Sequence, residues 1–216
     1  MEENNGTYKL YYFNGNGRAM IIRAILEYSK AKWEDIKVSN EEWPKMKSSS
    51  QCEYGQLPVL EYNGKTYSQS HAIELYLGKK FNLYGSSIDD EYQINSLLDS
   101  FDDLFIVFHA YAAPTNEEDK KNKEQIKQEF LMKLGFFIEV YYKHYEKNGY
   151  KKYYLGDTFT IADIFLCCLL FYYSHLFTCE DMYEKKIPKL YTLIKEIRDN
   201  ELKDFFDKRF IKETNI

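Results

Sequence analysis

The sequence predicts an α/β domain followed by an all-helical domain, and three observations carry that prediction. First, residues 54–76, YGQLPVLEYNGKTYSQSHAIELY, read as strand, two-residue turn, strand and helix start. Second, the stretch LYGSSIDD at 83–90 is small and polar, and beyond it only helical periodicity is found. Third, 216 residues with a 44% apolar fraction could hold one large domain or two small ones, and either could bury a core. The expected domains are residues 1–83 and 90–216, joined by a linker at 84–89.

Taken in order, Lys9 to Phe13 (KLYYF) is a strand of β formers stopped by the turn cluster Asn14-Gly15-Asn16-Gly17. Ile21, Ile22, Ile25, Leu26 and Ser29 then form the stripe of a first helix, with Arg18, Arg23 and Glu27 on its polar side. Trp33 to Val38 is a second strand, and Ser39 to Gln56 a loop with a short helix near Trp43 to Lys47. Leu57, Val59 and Leu60 open a third strand with Pro58 at its head. A proline there suits an edge, a strand start or a cis bend, because it removes a ladder donor. Asn63-Gly64 supports the positive φ angles of a type I′ turn, and Lys65 to Ser68 returns. Ser70 lies at or beside the N-cap of a helix closed by Lys79 and Lys80. Free N–H groups at that helix start, with Ser70 Oγ and the Gln69 amide, suit a carboxylate or phosphate.

The second half reads as a long helix from Glu91 to Ala113, closed by Pro114, and another from Glu117 to Lys147. A third opens at Thr160, where Asp163 three residues on completes a capping box and Phe159 and Ile164 a hydrophobic staple. That structural role accounts for Asp163 better than a catalytic one. A fourth helix starts at Pro188 and runs to about Arg198, and a fifth covers Leu202 to Arg209.

Composition narrows the partners. Net charge is −5 with both signs interspersed, so no basic field exists for nucleic acid or an anionic membrane. No apolar run approaches a membrane span, and the N-terminal MEENNGTYK has no charged region followed by an apolar one, which predicts a cytoplasmic address. Cys52, Cys167, Cys168 and Cys179 form no CxxC pair and read as reduced small hydrophobes. Gly15-x-Gly17 lacks the third glycine of a dinucleotide fingerprint, since position 20 is Met20. The four histidines have no metal-ligand spacing, so no metal is expected. Asp99, Asp102 and Asp103 share one helix face, which by itself means a solvated acidic surface or a weak divalent-metal surface.

Four segments carry a family resemblance: YKLYYFNGNGRAMIIRAIL at 8–26, EEWPKMKS at 41–48, YGQLPVLEYNG at 54–64 and SQSHAIELYL at 68–77. Together with DSFDDL at 99–104, they resemble the sigma class of the cytosolic glutathione transferases, which includes haematopoietic-type prostaglandin D synthases and lens S-crystallins. The resemblance implies a thioredoxin-like first domain with cis Pro58, a helical second domain, a homodimer, and glutathione as co-substrate for a small hydrophobic electrophile. It makes Tyr12 and Arg18 the catalytic pair. Trp43 and Lys47 would hold the glycyl carboxylate, and Gln56, the Leu57 backbone and Pro58 the cysteinyl part. Gln69 and Ser70 would take the γ-glutamyl carboxylate, and Asp103 would reach the γ-glutamyl ammonium of a partner's ligand. Phe13, Phe105, Phe108 and Tyr111 would line the electrophile pocket.

Part of this chemistry follows without the family. A site for glutathione must neutralise two carboxylates and lower a thiol pKa from about 8.5. A tyrosine hydroxyl donating a hydrogen bond to the thiolate does the second task. Tyr11 and Tyr12 point to opposite faces of one strand, so one alone can serve. The family motif places that residue directly before Phe13-Asn14, which selects Tyr12. No cysteine or serine lies between Tyr12 and Met20, which excludes thioredoxin-type redox chemistry and serine- or cysteine-dependent transferases. Three readings remain: a conjugating enzyme, a glutathione-dependent isomerase, and a non-catalytic structural protein on the same scaffold. Ala110, where the isomerases carry a tryptophan wall, weakens the second, and the retained thiol-site set weakens the third.

Overall fold

A computed structural model describes residues 6–114 and 116–210; the residues before Gly6, on which the leader reading rests, lie outside the described residues. The described residues up to Tyr84, together with those from Ile197 onward, form one compact unit, and Gly85–Glu196 forms another.

The first unit is built on strands β1 (Tyr8–Tyr12), β2 (Trp33–Lys37), β3 (Val59–Tyr62) and β4 (Lys65–Ser68), in sheet order β2-β1-β3-β4. Strands β1 and β2 are parallel, so a crossover helix must join them. That helix is α1 (Met20–Tyr28), entered through a 3₁₀ turn at Gly17–Ala19. A short α2 (Trp43–Lys47) follows β2, and α3 (Ser70–Lys80) follows β4. In β1, Tyr8, Leu10 and Tyr12 face inward while Lys9 and Tyr11 are half-buried, so one strand end presents two tyrosines to opposite faces. The β3–β4 turn has positive φ at both Asn63 and Gly64, as a type I′ hairpin requires. The Leu57–Pro58 peptide is cis, as expected.

The first helix departs from its expected polar face. Arg18 lies in the 3₁₀ turn before the helix rather than on the helix's polar side, and Arg23 is 0% exposed. The Arg23 Nε sits 3.1 Å from an Asp35 oxygen on β2, and its terminal nitrogens donate to the carbonyls of Gly15 (2.6 Å) and Phe13 (3.5 Å). Helical spacing cannot see partners supplied by a strand and a turn, and these partners are what allow a guanidinium to be buried. The C-terminal residues were expected in the helical domain, but from Ile197 onward they group with the first unit. There α10 (Lys203–Lys208) packs on α1, and Arg209 pairs with Glu27 at 3.3 Å.

The second unit holds α4 (Ile88–Ala112), α5 (Glu117–Lys121), α6 (Lys123–Lys147), α7 (Ile161–Phe177) and α8 (Glu180–Lys186), and α9 (Pro188–Asp199) begins in it. The expected single helix over Glu117–Lys147 is interrupted at Asn122, whose ψ of 15 leaves the helical range; Asn122 itself is exposed and neither Lys121 nor Lys123 is buried, so no core packing enforces continuity. Helix α8 was not anticipated, because seven residues with one buried side chain, Tyr183, show no period. All four cysteines are free and buried.

Helix α7 starts as expected. Asp163 Oδ2 accepts from the Thr160 N–H (2.8 Å) and hydroxyl (3.1 Å), and its Oδ1 accepts from the Tyr154 N–H (2.8 Å). Burial nevertheless pushes the Asp163 carboxyl up to about 6. An unfolded aspartate titrates near ~3.9, so the folded chain holds more protons than the unfolded one between those values. This group's contribution therefore grows as pH falls from about 7 to about 4 and is lost as pH rises through the folded pKa. Asp163→Asn places an NH₂ against backbone donors and costs about 2–3 kcal/mol. In urea unfolding the stability difference from wild type should be larger at pH 5 than at pH 7.

Candidate active site

The site grows from the end of β1. The Tyr12 hydroxyl accepts the Arg18 backbone N–H at 3.1 Å, a bond that leaves its own proton uncommitted. Gly17 makes this approach possible. It has φ +39, and a Cβ there would lie 2.5 Å from the Tyr12 oxygen. Gly17→Ala should displace the phenol and lower kcat/KM by about tenfold or more, with a stability loss of about 1–2 kcal/mol, read by steady-state kinetics and urea unfolding.

Electrostatics fix the protonation state of the tyrosine. Burial raises the Tyr12 pKa; the Arg18 N–H and the charges of Arg23 and Arg18 oppose that without reversing it. The phenol is therefore protonated at neutral pH and has a proton to donate. The Arg23 guanidinium carbon lies 5.6 Å from the Tyr12 ring centroid, so the buried cation beside the phenol comes from the helix that sequence reading left on the surface. Its signal in the sequence was Asp35, an acid on the inward side of β2.

From Tyr12 the site extends along aromatic contacts. The Tyr12 and Phe13 ring centroids are 5.7 Å apart, and Phe13 meets Trp43 edge-on at 5.5 Å. The exposed Lys47 ammonium lies 6.0 Å from the Trp43 ring, so α2 contributes both residues from one face. A Cβ on Gly55, at φ +59, would lie 3.6 Å from Lys47 Cγ, which brings α2 against the segment carrying Gln56. Gln69 Nε2 donates to Gln56 Oε1 at 3.4 Å, closing the wall at the start of α3.

Gln69 carries a backbone feature the sequence did not reveal. It has φ 70 and ψ 115, while its carbonyl accepts the Ile73 N–H at 2.9 Å. A non-glycine residue there costs on the order of 1–3 kcal/mol and persists where surroundings impose it. The exposed Gln69 amide lies beside the first N–H groups of α3, an arrangement suited to an anion, with Ser70 nearly buried as the first helical residue.

The remaining sequence candidates belong to α4. Asp103 is exposed, and its backbone carbonyl accepts from Lys133 Nζ at 2.9 Å. Phe105 and Tyr111 are half-buried. Phe108 is 4% exposed and enclosed by Phe130, Tyr172, Tyr173 and Phe177, so it is core of the helical unit. Among the described residues, no group of three or more His, Cys, Asp or Glu is placed to hold a metal, and no helix is long and apolar enough to cross a membrane.

A hydroxyl donor, an exposed cation, paired amides and a helix start together suit a thiol carrying two carboxylates. Comparison with known proteins agrees. The model for the glutathione S-transferase N-terminal domain matches residues 6–79, and that for the C-terminal domain matches residues 102–209. A Caenorhabditis elegans protein described as probable glutathione S-transferase 5 is 32% identical over 158 residues, covering 73% of this chain and 76% of the relative. Mouse hematopoietic prostaglandin D synthase is 35% identical over 162 residues, covering 73% and 75%. A monomeric glutathione S-transferase of the hookworm Necator americanus superposes with a TM-score of 0.82 at 30% identity, covering 97% of this chain and all of that one (100%). With both domain models matched and relatives of this similarity, the chain belongs to the glutathione S-transferase family.

Proposed function

We propose that this chain conjugates glutathione to hydrophobic electrophiles, with the Tyr12 hydroxyl holding the glutathione sulfur as its thiolate. The observation that carries the reading is the Tyr12 oxygen fixed by the Arg18 N–H at 3.1 Å, with its own proton left to donate. Deprotonating the thiol makes the nucleophile, and the hydrogen bond stabilises the charge that attacks the electrophile. Arg18 adds a nearby positive charge. Lys47 and Trp43 take the glycyl carboxylate, the Leu57 backbone and Gln56 the cysteinyl unit, and Gln69, Ser70 and the α3 N-terminus the γ-glutamyl carboxylate. Phe13 offers apolar surface beside the sulfur.

The protein should be retained on immobilised glutathione at neutral pH and released by free glutathione; free passage would sink the site assignment. Lys47→Ala should raise KM for glutathione by about tenfold with little change in kcat, because it removes binding made equally in ground and transition states.

The finer reading is a cytoplasmic, sigma-class homodimer with no metal requirement, in which Asp103 serves the partner copy's glutathione. Its support is the DSFDDL segment and the exposure of Asp103. A monomeric hookworm relative makes the assembly an open measurement for this chain. Sedimentation at micromolar concentration decides it, and a monomer that binds glutathione normally would end the Asp103 role.

A further inference from the structure

The two faces of α2 are differently occupied. Trp43 and Lys47, four residues apart, face the Phe13 side, whereas Glu42, Lys45, Met46 and Ser49 fall on the opposite face by their spacing of three, four and seven. That second face borders a crevice of about 510 Å³ closed on its other side by the sheet. This volume lies within the range of small-molecule sites. Tyr11 and Ile36, register neighbours on β1 and β2, form its floor with Val38 and Gln51. Tyr11 is the strand-end tyrosine that conjugation does not use, since it points away from the face that holds Tyr12.

The lining defines the ligand. Its body is apolar: the Tyr11 ring, Ile36, Val38 and Met46. The charges around it are balanced. The lining carries two lysines, Lys37 and Lys45, against two glutamates, Glu41 and Glu42, and Lys37 is also paired with Asp35 at 2.7 Å. The floor is polar at one point. The Tyr11 hydroxyl donates to Glu61 Oε2 at 3.2 Å and the Gln51 amide nitrogen to the same oxygen at 3.3 Å, which leaves the Gln51 carbonyl as an acceptor. An uncharged aromatic molecule with one N–H or O–H donor meets all three conditions.

Helix α2 also links this crevice to the glutathione wall, because none of its five residues is buried. A helix held by so little is ordered at the expense of whatever binds it, and a first ligand that orders it lowers that cost for the second. We propose that the crevice behind α2 is a second ligand site for uncharged aromatic amines, anilides and phenols, and that its occupancy tightens glutathione binding through α2. The binding half stands on the crevice alone; the coupling half rests on the reading that Trp43 and Lys47 hold glutathione.

The test is a fluorescence titration of the full chain with N-phenyl-1-naphthylamine, with and without saturating glutathione. Saturable binding is expected, weakened tenfold or more by Met46→Glu and by Ile36→Glu, each of which puts a carboxylate into the apolar wall. Retention on immobilised glutathione should persist in both variants and reports that they are folded. Glutathione should lower the probe Kd by about fivefold, and the probe should lower the glutathione Kd by the same factor, since coupling is reciprocal. Unchanged probe affinity in both folded variants, or no saturable binding, overturns the site. Probe binding that responds to the variants but not to glutathione overturns the coupling. A wild-type protein that passes freely through the resin overturns the glutathione reading instead, while probe binding still judges the crevice.

Discussion

Tyr12→Phe lowers kcat for conjugation of glutathione to an activated aryl halide by about 10²–10³-fold, the loss that follows removal of one preorganised donor to a developing or resident anion. Binding of glutathione should change little, because the proposed site holds its carboxylates with other groups. The pH profile separates this role from a structural one. The rising limb of kcat/KM reports the thiol, which the proposed role of Tyr12 predicts to be acidified below its free value of about 8.5. In Tyr12→Phe that limb moves to higher pH. Burial holds the phenol itself above its ordinary value, so no limb from tyrosine ionisation is expected near neutrality. A variant that loses activity with an unmoved limb would assign Tyr12 to packing, and damage from Tyr11→Phe instead would show that the wrong strand face was chosen.

Asp35→Ala has the largest expected effect on stability, a loss of about 3–5 kcal/mol, because it leaves the fully buried Arg23 guanidinium without its carboxylate. Urea unfolding measures it as a shift in midpoint at constant slope. Activity falls in the folded fraction as well, since Arg23 donates to the carbonyls of Phe13 and Gly15 and lies beside the Tyr12 ring. The double change Arg23→Met with Asp35→Leu should recover most of the stability, because an apolar pair of similar volume has no desolvation cost. It should not recover the thiol pKa. If the double variant is as unstable as Asp35→Ala, packing rather than the unpaired charge is responsible.

Much of the first unit was legible because its signals are local. Asn63-Gly64 demands positive φ, Pro58 cannot sit in a central ladder, and Trp43 to Lys47 shows its helix in five residues. The wall of Trp43, Lys47, Gln56 and Gln69 followed from motif residues that lie near one another in the chain. What stayed hidden depends on partners distant in sequence. Arg23 looks polar by helical period and becomes core only through Asp35 and two turn carbonyls. Phe108 looked available for a pocket until rings from α6 and α7 surrounded it. The stretch after Ile197 is helical by pattern, but no pattern states that α10 packs against α1. Gln69 shows nothing unusual in sequence, since its backbone angles are imposed by the hairpin before it and the helix after it.

The Arg23–Asp35 pair also bears on how the chain finds its strand alignment. Strand β2, WEDIK, has too little apolar contrast between its two faces to choose a register by hydrophobicity. Sliding it one residue against β1 so that Ile36 takes the place of Asp35 would turn that carboxylate to the other face and strand a buried cation at a cost of several kcal/mol. A single ion pair thus rejects that misaligned sheet, and the tyrosine at the end of β1 inherits its position from that rejection.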